Sequence, residues 1–177
     1  LFVVGALIAG TAWVYVFKDY QKNRILVFIN PYSDPQGSGY NAIQAMISVG
    51  DGGLFGQGLG YGSQIQFGFL PEAHTDFMFA SVAEEFGFLG VIIIFLLLAL
   101  ITWRVVKIAI AAENNFAKIF CAGFIALIFI QVAINGGMNL GLMPITGITF
   151  PFLSYGGSSL IALFLGVGII QSIKART

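Results

Sequence analysis

The sequence predicts an all-α fold, a polytopic transmembrane helical bundle with one large loop outside the membrane. Three observations carry that prediction. Apolar residues make up 58% of the 177 residues and charged residues only 9%, with a mean hydropathy of +0.91, so lipid rather than water is the solvent for most of the chain. Crossing about 30 Å of hydrocarbon takes about 20 apolar residues in a helix, the one open-ended element that satisfies its own backbone there. Four runs have that character, residues 1–17, 77–103, 116–134 and 152–173. Finally, the basic residues are sorted by side. The connection after Trp103 carries Arg104, Lys107 and Lys118 and the tail carries Lys174 and Arg176, whereas residues 136–150 carry no charge.

Taken in order, the first span begins at Leu1 with no initiator Met, basic n-region or small-residue cleavage site, so it does not read as a signal peptide. The chain is expected to be the carboxy-terminal part of a longer membrane protein. The positive-inside rule puts the connection after Trp103 and the tail in the cytoplasm, and the loop 18–76 and the uncharged turn outside. Lys18, Lys22 and Arg24 sit on the outer side against that rule, although long loops translocate largely regardless of charge. A formal charge of zero argues against nucleic acid as a partner. Cys121 is alone, inside an apolar span, and can form no intrachain disulfide.

The loop is too long to be a plain connection, and its glycines alternate with aromatic and aliphatic residues rather than with Ser, Glu and Lys, which argues against disorder. Tyr40 to Val49 is expected to form a short helix lying near the headgroups, with Ile43, Met46 and Ile47 on one face. GLFGQGLGYG lacks the Lys-Ser/Thr ending of a phosphate-binding loop and reads as tight turns on the membrane surface. Pro71 suits the first turn of a helix, which would put Glu72 and Asp76 at i,i+4 on one face. Phe86 to Trp103 has no ionisable group and nearly fills the hydrocarbon, so Glu84 and Glu85 are expected at the outer boundary. Asp76 would then lie roughly 12 Å further out on the same helix, at about 1.5 Å per residue. Carboxylates, with His74, would line that mouth, where helix capping and solvation are the plainer roles. Gln131, Asn135 and Asn139 are placed to hydrogen-bond between spans.

Three strings carry a resemblance. FLPEAHTDFMFASVAEEFGFLG (Phe69 to Gly90), GLMPITGITFPFLSYGGSSL (Gly141 to Leu160) and RILVFINPYSDPQGSGYNAIQ (Arg24 to Gln44) resemble, in that order, signature regions of the SEDS family of shape, elongation, division and sporulation proteins, the FtsW/RodA-type peptidoglycan polymerases. The family has about ten spans, each necessarily a helix in lipid, so the resemblance implies four spans of that fold. It also implies a bacterial inner-membrane peptidoglycan glycosyltransferase that polymerises lipid II, the undecaprenyl-diphosphate-linked precursor, on the outer face, with a class B penicillin-binding protein transpeptidase as partner. GSQIQFGFLPE (Gly62 to Glu72) is similar to the elongation branch, and Thr149 to the division branch.

The matching His74, Thr75 and Asp76 triplet makes Asp76 the implied catalytic residue. Glycan polymerisation needs a general base for the attacking sugar hydroxyl, a carboxylate role, and something to offset the departing diphosphate. Lys22 and Arg24, or a divalent cation such as Mg or Mn, would supply that charge, with headgroup snorkelling the plain alternative for the two side chains. Glu72 would orient Asp76 or share a metal with it at the substrate site, and His74, Thr75, Ser154 and Ser158 would contact substrate. The rival readings are a lipid II flippase, for which broken spans are expected, and a non-catalytic scaffold for the transpeptidase.

Overall fold

The computed structural model describes residues 18–176; the first expected span, 1–17, lies outside them. Six α-helices follow one another, α1 (Asp19–Ile29), α2 (Ser38–Asp51), α3 (Ser63–Gln66), α4 (Met78–Ala111), α5 (Asn115–Asn139) and α6 (Gly157–Ala175), with a 3-10 turn at Pro31–Ser33. The fold class is as the sequence predicts. α4, α5 and α6 are each long and apolar enough to cross a membrane.

The three long helices share one apolar core. Phe79 and Leu98 of α4, Cys121, Phe124 and Ile128 of α5, and Leu163 and Ile170 of α6 are buried together with Phe150. The Phe79 and Phe150 rings stack with centroids 6.0 Å apart. α5 starts where the Asn114 side chain accepts the Phe116 N–H at 2.9 Å, a cap for a donor that no earlier turn can satisfy. α6 starts at Gly157, five residues after the span expected from Phe152. The delay has a cause: residues 150–154 turn, with Phe152 at φ +61° and the Ser154 hydroxyl accepting the Phe150 N–H at 2.8 Å.

α2 spans Ser38–Asp51, and the face it packs on the protein is made of small residues. Gly39, Ala42, Ala45 and Ser48 are buried while Ile47 is exposed. Small residues at three-residue intervals let α2 lie close against α4, where Ala45 joins Leu70, Ala73, Phe77 and Ala80 in a second cluster; close approach outweighs side-chain hydrophobicity here.

The larger departure is in α4. The sequence reads as one continuous helix that starts at Pro71 and carries the span 77–103, yet the helix starts at Met78 and is interrupted at Gly87 (φ +66°, ψ −165°). That interruption strands backbone groups on both sides, and the glycine-rich loop satisfies them. Gln57 and Gly58 N–H donate to the Glu84 and Glu85 carbonyls at 2.9 and 3.0 Å, and Phe88 and Leu89 N–H donate to the Gly53 and Leu54 carbonyls at 2.9 and 3.2 Å. The loop is thus docked into the helix. Glu84 is completely buried in protein rather than solvated. One of its carboxylate oxygens accepts the Gln64 N–H at 2.8 Å, and Glu85 accepts the Gly60 N–H at 3.0 Å. A side chain at Gly87 would run into the backbone of Leu54 and Gly56, and one at Gly56 into the backbone of Glu85.

Gly87→Ala therefore combines a strained φ with a backbone collision and is expected to cost at least about 2 kcal/mol. Thermal unfolding of the full-length protein in detergent checks this, and a midpoint equal to the parent's would contradict it.

Candidate functional site

Residues 70–77 form a compact turn rather than the first turns of a helix. Leu70, Ala73 and Phe77 point inward, which leaves Glu72, His74, Thr75 and Asp76 toward the outside. Glu72 adopts φ +55°, a costly conformation for a residue with a side chain, and its carbonyl accepts the Thr75 and Phe77 N–H groups at 3.1 and 3.3 Å. The Thr75 hydroxyl donates to the Glu72 carboxylate at 2.8 Å. From below, the buried Ser81 hydroxyl lies 3.1 Å from the Ala73 carbonyl and 3.2 Å from that of Phe77.

The turn is held from α5 and from the segment 141–156. Asn135, fully buried, donates its amide to the Asp76 carbonyl at 2.9 Å and to the Ile148 carbonyl at 2.7 Å. Both partners are acceptors, so only the NH₂ side of the amide satisfies them. Asn139 backs it, donating to the Asn135 carbonyl at 2.7 Å. Tyr155 N–H donates to the His74 carbonyl at 2.8 Å. Ile148 follows Gly147 (φ +77°), where a side-chain carbon would stand 3.4 Å from an Asp76 carboxylate oxygen. Arg24 of α1 reaches across to the same segment and donates to the Thr146 carbonyl at 3.0 Å.

Partial burial pushes the Asp76 carboxyl above its ordinary pKa, the Glu72 charge pushes it the same way, and Arg24 pulls against both. Burial disfavours the ionised form and a neighbouring anion adds to that. The result is a carboxylate that takes up a proton more readily than an exposed aspartate would. On the other side of the turn lies an open cleft of about 480 Å³ lined by His74, Met78, Leu153, Ser154, Tyr155 and Leu160.

Of the residues singled out in the sequence, the structure brings Asp76, Glu72, Thr75 and Arg24 together and puts His74 and Ser154 on the adjoining cleft. Ser154 is buried and its hydroxyl oxygen is engaged by Phe150 N–H, which makes it a builder of the turn. Lys22 turns toward Asp19 at 3.8 Å, and Ser158 stands exposed in the first turn of α6. Asn135, Asn139 and Gly147 join the site without being marked as site residues by the sequence. Their signal was an amide pair four apart at the polar end of an otherwise apolar span. For a divalent cation, Asp76 and Glu72 offer two carboxylates, but among the described residues no group of three or more His, Cys, Asp or Glu side chains converges.

Among known proteins, the profile of the family FTSW_RODA_SPOVE, described as cell cycle protein, matches residues 1–177. The chain belongs to the FtsW/RodA/SpoVE family. It is 44% identical over 164 residues to the peptidoglycan glycosyltransferase MrdB of Escherichia coli K12, covering 93% of this chain and 44% of that protein. It is 44% identical over 185 residues to stage V sporulation protein E of Bacillus subtilis 168, covering 98% of this chain and 50% of that protein. A probable peptidoglycan glycosyltransferase FtsW of Geobacter metallireducens is 40% identical over 178 residues, covering 99% and 47%. The fold matches, with a TM-score of 0.73 and 34% identity, a chain solved in work on the structural coordination of polymerization and crosslinking by a peptidoglycan synthase complex, covering 96% of this chain and 45% of that one. The chain spans about half the length of the curated relatives it matches. Family membership and its three long apolar helices make it an integral membrane protein.

Replacing Asn135 by Leu keeps the volume and deprives two carbonyls of their donor. An unsatisfied buried polar group costs about 1–3 kcal/mol, so Asn135→Leu is expected to destabilise the full-length protein by roughly 2–4 kcal/mol. Thermal unfolding beside an exposed control, Asn23→Leu, checks it; equal midpoints for the two variants would contradict the clamp.

Proposed function

We propose that the full-length protein is a peptidoglycan glycosyltransferase that polymerises lipid II on the outer face of the bacterial inner membrane, with Asp76 as its general base. One observation carries the reading. The Asp76 carboxylate is held in a strained turn by two elements distant in sequence, half-buried, with its proton affinity raised and a guanidinium beside it.

In this reaction a hydroxyl of one sugar attacks the anomeric carbon of another, the bond to the diphosphate breaks, and the hydroxyl proton must leave. Asp76 is suited to take that proton, because a base works best with a pKa drawn toward the working pH. Arg24, fixed by Thr146, is placed to oppose the negative charge that gathers on the departing diphosphate. Glu72, tied to Thr75, sets the charge around Asp76 rather than acting on substrate. The cleft beside His74 and Tyr155 is the natural place for a sugar to lie against the turn. A divalent cation would need ligands beyond this chain's described residues or from the diphosphate itself.

The relatives named as peptidoglycan glycosyltransferases and the neighbour in a synthase complex support this reading and a class B transpeptidase as partner. The interruption of α4 is the one feature shared with transporters, whose spans are broken around a substrate. Here the freed backbone groups are paired with the protein's own glycine loop rather than left for a cargo. Continuity of the spans, however, no longer argues against transport.

With labelled lipid II and the partner transpeptidase, the full-length parent should make glycan chains. Asp76→Ala should lower the rate by at least about a hundredfold, the lower end of what a lost general base costs. Arg24→Ala should lower it by about tenfold or more. An Asp76→Ala protein polymerising as fast as the parent would remove the assignment.

A further inference from the structure

At the end of the bundle opposite Asp76, α4 and α6 diverge around an open cleft of about 600 Å³ lined by Arg104, Lys107, Ile108, Ala111, Gln171 and Lys174. Three of the six lining residues are cations, and they come from two helices. No carboxylate lines this cleft; Glu113 belongs to the neighbouring one. Among the described residues the one ion pair is Lys22 with Asp19, so Arg104, Lys107 and Lys174 face one another's charge without an acidic partner.

The depth of the cleft follows from the helix. The hydrocarbon takes about 20 residues, so counting from the buried Glu84 beside the helix break puts the opposite boundary near Arg104. Trp103, of a type enriched at membrane boundaries, marks the same level. Its ring carries Lys107 Nζ at 3.9 Å and Arg104 Cζ at 5.4 Å from the centroid, which holds both cations beside the cleft.

We propose that this cleft binds the phosphate of an anionic phospholipid headgroup in the leaflet that meets this end of the bundle. Setting the orientation of a membrane protein needs basic residues near the span ends but no particular grouping. A grouping of uncompensated Arg and Lys in a cleft between spans, at headgroup depth, is what a lipid phosphate fits. The Arg104 guanidinium would take two phosphate oxygens side by side and the two ammonium groups would close around the others, with Gln171 as an uncharged donor.

The test uses the full-length protein equilibrated with phosphatidylcholine vesicles containing phosphatidylglycerol, and native mass spectrometry of the lipid it retains. The parent should retain phosphatidylglycerol over phosphatidylcholine. The triple variant Arg104→Gln, Lys107→Gln, Lys174→Gln should lose that preference by about tenfold or more. Gln171→Trp leaves every charge in place and fills the cleft; it should lose the preference too, and it serves if the triple variant does not insert. Excess inorganic phosphate should leave the retained lipid in place. Retention of phosphatidylglycerol by Gln171→Trp equal to the parent's, no preference in the parent, or displacement by inorganic phosphate would each overturn the proposal.

Discussion

Two carbonyl oxygens, those of Asp76 and Ile148, meet at the amide of Asn135, and the geometry of the whole site descends from that meeting. The amide has two N–H donors and both are used. It therefore fixes the turn that carries Asp76 relative to the turn that carries Gly147, two segments about seventy residues apart in the chain. With Gly147 against the Asp76 carboxylate, partial burial follows. Arg24, anchored one residue earlier at Thr146, then brings its charge to the same place. A buried carbonyl that loses its donor costs about 1–3 kcal/mol, so the clamp tolerates little change.

A second constraint supports the first from below. The break at Gly87 lets the upper part of α4, which carries Phe79, Ala80 and Ser81, lie at its own angle to the long apolar part. Gly53 to Gly58 repair the backbone hydrogen bonds lost in the break. Irregular backbone at such depth is tolerated where protein satisfies it. The glycines of the loop are therefore structural: they let one backbone approach another closely enough to bond. Glu84 and Glu85, which look like exposed rim carboxylates in the sequence, serve as acceptors for the N–H groups of Gln64 and Gly60.

The long apolar helices were legible because their signal is composition, which lipid imposes along the whole length of a span. Asp76 was legible only through resemblance, since a carboxylate before an apolar run also fits a helix cap. What the sequence hid were features set by contact between distant segments. Nothing local in EEFGFLG says that Gly87 takes a left-handed conformation, because a glycine in a membrane helix usually continues it. Pro71 suggests a helix start, and the turn that Glu72 makes instead is stable only because Ser81, Tyr155 and Asn135 hold its carbonyls. The protein-packed face of α2 is hidden for a similar reason: which side is buried depends on the neighbour, and α4 offers small residues that favour closeness over bulk.

The account turns on an Asp76 that must be ionised to act as a base and whose environment resists ionisation. An acid group with a raised pKa binds its proton more tightly in the folded protein than in the unfolded chain, so activity should be lost as pH falls through that raised value. Fold stability runs the other way, decreasing as pH rises between the unfolded and folded values. The decisive measurement is the pH dependence of kcat/KM for lipid II polymerisation by the full-length protein, which follows the ionisations of the free enzyme. The account predicts an acid limb above the ordinary aspartate value of about 3.9, moved to still higher pH in Arg24→Ala, where the opposing cation is gone. A rate that stays flat down to that ordinary value, or a limb that Arg24→Ala leaves in place, would contradict it.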